Sequence, residues 1–352
     1  MIRYDPFGLR LSAPLATADG RIEERRGFVV RADRDGFRGV GEAAPLPGWT
    51  EPYDDCEAAL ADVAGATDGT DPVAAVDAAA PAARHGVELA VADARARAAG
   101  EPLATWLAEG SAAGSVPVNA TVGDASVEAT AAAPREAVDA GYGTVKLKVG
   151  ARGPDADAAR LRAARDAAGD GVDLRADANG AWDAETAARL VDVAADLDLS
   201  YVEQPRPAAD LAGHAALRGR GVDVAVDESV AAAGIDAVLD ADAADVIVCK
   251  PMALGGPVRT CEVARRAAER GVGTVVTTTI DGVVARTAAV HVAAALPDTP
   301  ACGLATGDRL ATDLAADPAP VVDGRLAVPS GPGLAGAEFD RLRRGSASLD
   351  GV

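Results

Sequence analysis

TVKLKVG, residues 144–150, is one of a series of short apolar runs that end in polar residues. PVNATV (117–122) precedes it. VDLRADANG (172–180), LSYVEQP (199–205), VDVAVDES (222–229), ADVIVCKP (244–251) and GTVVTTTID (273–281) follow. An Ala/Arg/Asp-rich segment of helical character separates each run from the next. Counted at residues 146, 177, 203, 227, 250 and 277, the gaps are 31, 26, 24, 23 and 27 residues. One strand, one helix and their loops need about that length, so the spacing predicts repeated βα units. Seven or eight units in one domain imply a closed (β/α) barrel rather than an open doubly wound sheet. No GxGxxG follows the first run, which weighs against dinucleotide binding.

Outside this series the rhythm changes. RGFVVRADRDGFRGVGEAA (26–44) is two apolar runs around a polar, Gly-bearing turn, the pattern of a hairpin. Residues 53–109 are Ala-rich with helical spacing, with Asp71–Pro72 as a helix start and Pro81 as a break between two helices. After about residue 312 the βα rhythm stops, and PVVDGRLAVPSGPGLA (320–335) predicts one more short hairpin, returning to the N-terminal zone. The expected organisation is an α+β region over 1–115, a barrel over 116–311 and a C-terminal segment over 312–352.

The chain has 352 residues and a net charge of −20, with acidic residues dispersed along it. Such a charge repels nucleic acid and anionic membrane surfaces. Basic residues number 34, and only Lys146, Lys148 and Lys250 are lysine. Dispersed acid, arginine in place of lysine and abundant alanine predict a salt-adapted, solvated surface. Cys56, Cys249, Cys261 and Cys302 form no CxxC pair and read as small core residues in a reducing compartment. Asp5 and Arg10 interrupt the N-terminal apolar residues, and no run of about 18 apolar residues occurs; a soluble, cytoplasmic protein is expected.

The three lysines all fall at predicted strand ends. In a barrel the C-terminal strand ends form the active-site face. Lys146 and Lys148 are two residues apart, so a strand turns them to the same face. Two ammonium groups there repel, each favouring loss of the other's proton. Arginine would serve a surface equally well, but lysine can give up its proton in a site. Asp177, Glu203 and Asp227 end three consecutive strands. Three hard oxygen donors without Cys or His suit Mg²⁺, and not zinc. His85, His214 and His291 lie in helical segments and read as surface or packing residues. Gly255–Gly256 reads equally as an anion-binding turn or a tight bend.

The order KLK, DANG, VEQP, DES and CKP on successive units resembles the enolase superfamily, specifically its muconate-lactonizing subgroup. The resemblance covers nearly the whole chain. It implies a modified (β/α)₇β TIM-type barrel under an α+β capping domain built from both chain ends. It implies Lys148 as the general base, Lys146 as its neighbour on the substrate carboxylate, and Lys250 on the opposite face of the substrate. Asp177, Glu203 and Asp227 would be Mg²⁺ ligands, with Mn²⁺ as a possible substitute, acting on a small carboxylate substrate. Lysine bases working with Mg²⁺ are a known pairing in enolase-type sites. GVGEAAPLPGWTEPYDD (39–55) and CGLATGDRL (302–310) resemble the subgroup's dehydratase of menaquinone biosynthesis. The first would be a cap loop that closes over the barrel mouth. Dipeptide epimerases of the subgroup usually carry Asp-x-Asp at the last strand, which CGLATGDRL lacks. N-acylamino-acid racemase and muconate cycloisomerase activities share the same site, and a metal-binding barrel without turnover is the reading from another class.

Overall fold

The computed structural model describes residues 1–17, 20–66, 71–298 and 300–345. At the N-terminus β1 (Ile2–Thr17), β2 (Gly20–Arg34) and β3 (Phe37–Ala43) form an antiparallel sheet in the order β1-β2-β3. Asp35 and Gly36, both at positive φ, make the tight β2–β3 turn that the ADRDG stretch predicted. Helix Pro81–Ala99 packs on this sheet, preceded by helix Tyr53–Ala64. Here the reading of residues 71–81 is corrected. Asp71–Pro72 opens a set of turns rather than a helix, with Asp71 and Asp77 each binding a backbone N–H two residues on. Pro81 does not break a helix but begins one, in the first turn, where its missing N–H has no helical partner to lose.

Strand β4 (Ser115–Pro117) leads into seven parallel strands: β5 (Ala120–Val122), β6 (Thr144–Lys148), β7 (Asp173–Asp177), β8 (Tyr201–Glu203), β9 (Asp223–Val226), β10 (Val246–Cys249) and β11 (Gly273–Val276). They pair in chain order. Cys302 and Gly303 then bridge the two edges, to Val118 and to Thr277, so an eighth short segment closes the ring. The period of two sorts the side chains. Val145, Leu147, Leu174, Ala176, Val202 and Val224 face outward into the helix layer. Tyr201, Ala225, Val248 and Val275 pack together inside. The same parity that buries Leu147 outside turns Lys146 and Lys148 inward.

The C-terminal hairpin is present as β12 (Val321–Val322) and β13 (Arg325–Ala327) around Asp323–Gly324, but it pairs with β4 rather than returning to the N-terminal sheet. The return is made further on. Leu334, Phe339 and Leu342 join the core of the N-terminal sheet, and Arg343 forms a buried pair with Asp93. Residues 346–352 lie outside the described residues. That core also takes in Met252, Val283, Val284 and Ala288 from the barrel, so cap and barrel share one apolar cluster.

Candidate active site

Two cap carboxylates hold the barrel's active-site face to the cap. Glu42, at the end of β3, accepts the N–H groups of Gly282 (2.7 Å) and Ala285 (3.0 Å), the open N-terminus of helix Val283–Ala295. Glu88 accepts from Val258 (2.8 Å) and Arg259 (3.1 Å) at the start of helix Pro257–Glu269. Each helix begins after a glycine because a Cβ would strike the carboxylate: 2.9 Å from Glu42 at Gly282 and 2.1 Å from Glu88 at Gly256. Gly255–Gly256 is thus the tight bend of the two alternatives: both its N–H groups donate to the Pro251 carbonyl, and Glu88 is held by the helix N–H groups that follow. Burial pushes Glu42 up to about 8 and Glu88 up to about 7.

Inside the mouth, the lysines and carboxylates interlock. Lys146 Nζ donates to Glu203 Oε1 (3.1 Å) and Oε2 (3.0 Å) and to Asp177 Oδ2 (3.1 Å). Lys148 Nζ donates to the same Asp177 oxygen at 2.7 Å and to Asn179 Oδ1 at 2.8 Å. Register explains the meeting, since Lys148, Asp177 and Glu203 are direct partners across β6, β7 and β8. Lys250, following β10, donates to Asp227, which follows β9. Strands β6 and β10 stand four places apart in a ring of eight, so Lys148 and Lys250 flank the carboxylates from opposite walls.

The expected mutual repulsion of Lys146 and Lys148 is corrected for Lys146. Burial alone would lower its pKa, but Glu203 and Asp177 outweigh it and hold it well above the ordinary lysine value. Glu203 is pushed up to about 8 by burial and by the nearby Asp177 and Asp227 charges, against the pull of Lys146. Asp177 is held below its ordinary value; burial opposes this, and Lys146 and Lys148 overcome it.

Several residues of this site could be given no role from the sequence, although Asn179, Glu228 and Asp281 stand among the polar residues that end the runs. Gln204 of VEQP accepts the N–H groups of Asp227 (2.9 Å) and Ser229 (3.3 Å), fixing the turn that presents Asp227. Asn179 of DANG bridges Lys148 to Glu228, donating to Glu228 Oε1 at 2.9 Å. Asp281 accepts from Thr279 and lies 3.9 Å from Arg25, whose guanidinium also binds the carbonyls of Ile280, Pro45 and Ala44. Trp49, in the cap loop, lies over Lys250, its ring centroid 3.4 Å from Nζ. All three histidines are buried and hydrogen-bonded: His85 to the Glu42 carbonyl, His214 to the Asp210 carbonyl and to Gln204, and His291 to the Leu334 carbonyl. The four cysteines are free thiols.

The donor set fits a hard divalent cation. Asp177, Glu203 and Asp227 end three neighbouring strands, and burial together with the Asp177 and Asp227 charges raises Glu203. Beside Asp227, Glu228 Oε2 is buried without a partner. In the present arrangement the lysine ammonium groups lie among the carboxylates. Among the described residues no three His, Cys, Asp or Glu groups are arranged to hold one ion.

Residues 129–342 match the Enolase C-terminal domain-like family, and the chain belongs to the enolase superfamily. Over 154 residues it is 43% identical to o-succinylbenzoate synthase of Thermobifida fusca, across 43% of this chain and 47% of that protein. Over 156 residues it is 44% identical to o-succinylbenzoate synthase of Mycobacterium tuberculosis, across 43% of this chain and 46% of that protein. The match thus spans about half the length of these curated relatives, 47% and 46%. The fold resembles that of the L-Ala-D/L-Glu epimerase from Bacillus subtilis, with TM-score 0.86 and 28% identity, over 95% of this chain and 97% of that one. It also resembles the dipeptide epimerase from Methylococcus capsulatus complexed with Mg and L-Arg-D-Lys, with TM-score 0.84 and 30% identity, over 95% of this chain and 98% of that one. Among the described residues no helix is long and apolar enough to cross a membrane.

Proposed function

We infer that this chain is an Mg²⁺-dependent o-succinylbenzoate synthase of menaquinone biosynthesis. It would eliminate water from 2-succinyl-6-hydroxy-2,4-cyclohexadiene-1-carboxylate to give 2-succinylbenzoate. The observation that carries this reading is the 43–44% identity, over 43% of this chain, to synthases of that name. One feature separates it from the epimerases: the last-strand stretch Cys302–Leu310 contains one acid, Asp308, where the epimerases' Asp-x-Asp would need two. Lysines on opposite walls of the mouth fit both reactions.

Asp177, Glu203 and Asp227 are the residues that would hold the cation. When bound, Mg²⁺ would polarise the substrate carboxylate and stabilise the negative charge that develops as the α-proton leaves. Lys148, in its neutral form, accepts that proton at Nζ. The carbon–oxygen bond to the hydroxyl then breaks, and the same Nζ returns the proton to the departing oxygen as water. Lys146 contacts the substrate carboxylate and Lys250 places an ammonium against the opposite face of the planar intermediate.

The second reading is a racemase or epimerase, favoured by the two epimerase structures that match 95% of this chain. One assay separates them. Purified protein in high salt with Mg²⁺ is offered the cyclohexadiene precursor, an N-succinyl amino acid and an L-Ala-L-Glu dipeptide side by side. Dehydration faster than racemisation or epimerisation supports the synthase, and the reverse order overturns it. Absence of α-proton exchange with deuterated water on all three would favour a barrel without turnover.

A further inference from the structure

We propose that Trp49 is a positioning residue for Lys250, its indole holding the Lys250 ammonium group in place from the cap side. The proposal rests on the reading above that Lys250 takes part in the reaction.

The contact is built at both ends. On the barrel side, Lys250 follows β10 and is 9% exposed, with its Nζ donating to Asp227. The centroid of the Trp49 ring lies 3.4 Å from Nζ on another side of the head group. An ammonium at that distance from an indole face is attracted by the ring quadrupole, and the attraction grows as water is excluded. On the cap side, the loop that carries Trp49 is tightly folded. Trp49 and Thr50 both donate their N–H to the carbonyl of Leu46 at 3.0 Å, and Thr50 Oγ1 accepts the Leu46 N–H at 2.8 Å. Pro47 and Gly48, the latter at φ +83°, stand at the central positions that a type II turn requires.

The loop is also pinned on either side of Trp49. Arg25 binds the carbonyls of Ala44 (2.7 Å) and Pro45 (3.0 Å), and Ala44 N lies 3.4 Å from Met252 Sδ, two residues beyond Lys250. Downstream, Glu51 accepts the N–H groups of Ala82 (2.9 Å) and Ala83 (2.8 Å) at the start of helix Pro81–Ala99. The backbone that carries the indole is therefore fixed relative to the barrel, and no large loop motion is needed to bring Trp49 and Lys250 together.

The arrangement has a purpose in the reaction. Asp227 is shared between Lys250 and the proposed cation, so its hold on the lysine weakens when the cation binds. A lysine side chain has four rotatable bonds, and the indole face is the constraint that remains. Access differs on the two walls in the same sense. The Lys148 side chain is 37% exposed and that of Lys250 10%, so the open side of the mouth faces the base and Trp49 covers the other.

The test uses Trp49→Leu, Trp49→Phe, Lys250→Ala and Trp49→Phe/Lys250→Ala in the full-length protein. Trp49→Leu keeps an apolar wall and removes the π face. It is expected to lower kcat by roughly three- to thirty-fold, the range of a cation–π contact, with KM within about threefold. Trp49→Phe is expected to recover most of that loss. A second readout does not depend on the reaction. Subtracting the Trp49→Phe emission spectrum isolates Trp49 fluorescence, first in wild type and then in the Lys250→Ala background. Loss of the ammonium is expected to change the isolated spectrum in intensity or position. Superimposable spectra, or wild-type kcat in Trp49→Leu, overturn the proposal. If the chain proves to be an epimerase, kinetics are read on that reaction while the fluorescence arm stands unchanged, so the two failures are distinguishable.

Discussion

Lys146 straddles the Glu203 carboxylate, with Nζ 3.1 Å from one oxygen and 3.0 Å from the other, and reaches Asp177 from the same position. Both carboxylate side chains are only 1% exposed. The lysine is thus the main internal counter-charge of the mouth, while Lys148 and Lys250 each bind a single carboxylate.

Two variants separate charge compensation from metal binding. Lys146→Met leaves Asp177 and Glu203 without their shared cation, and breaking a buried pair in this way costs about 3–5 kcal/mol. Its melting temperature is expected to fall well below wild type and to recover in part when Mg²⁺ is added. Glu203→Gln removes the most strained charge, so the metal-free variant is expected to melt close to wild type. It should lose the Mg²⁺-induced rise in melting temperature together with Mg²⁺-dependent turnover, because an amide is a weaker ligand for a hard cation. Differential scanning calorimetry with and without Mg²⁺ reads both. A full Mg²⁺ shift in Glu203→Gln would remove it from the ligand set.

Much of this was legible in the chain because a barrel writes its strand ends at regular intervals. Lys146 and Lys148 reveal their common face by spacing alone, and DANG, VEQP and DES mark successive units. What stayed hidden is long-range. Nothing local to Trp49 says that it meets a residue 201 positions later, and Glu42 looks like any strand-end acid until helix Val283–Ala295 arrives above it. The turns at residues 71–80 misled because Asp–Pro starts helices and turns alike. The destination of the β12–β13 hairpin depended on β4, a three-residue strand too short to carry a pattern.

The cap–barrel clamp carries a pH signature. Glu42 is raised from about 4.5 to about 8 by burial and the neighbouring Asp281 charge. A carboxyl raised in the fold binds more protons folded than unfolded between those values. Its stabilising contribution is therefore complete below about pH 4.5 and is lost as pH rises through about 8. Wild type is expected to lose stability between about pH 4.5 and 8 by on the order of a few kcal/mol from this group. Glu42→Gln, which cannot ionise, is expected to show a flatter profile over that range in urea unfolding. Parallel profiles would mean that Glu42 titrates near its ordinary value.

Salt gives a different signature. With a net charge of −20, self-repulsion opposes the compact state in dilute buffer, and the Debye length shortens from about 30 Å at 0.01 M to about 3 Å at 1 M. The melting temperature is expected to rise steadily from low to molar KCl, with loss of helical circular dichroism on dialysis to low salt. A melting temperature independent of KCl would count against a salt-adapted surface.

Arginine replacements at the two flanking lysines test the division of labour in the mouth. Lys148→Arg preserves a cation beside Asp177 and Asn179 but stays protonated, so it can neither take the substrate proton nor return it to the leaving oxygen. Loss of a general base costs about 10²–10⁴-fold, and a residue serving both proton transfers is expected at the upper end. Lys250→Arg keeps the charge next to Asp227 and beneath Trp49, and arginine also stacks well on an indole. Its loss of dehydration is therefore expected to be the smaller by at least tenfold. An epimerase would use both lysines for proton transfer, and then the two variants would lose activity together. The measurement is dehydration and substrate α-proton exchange in each variant, side by side. Near-wild-type dehydration in Lys148→Arg would show that the base lies elsewhere, and equal losses at both positions would favour two-base epimerisation over elimination.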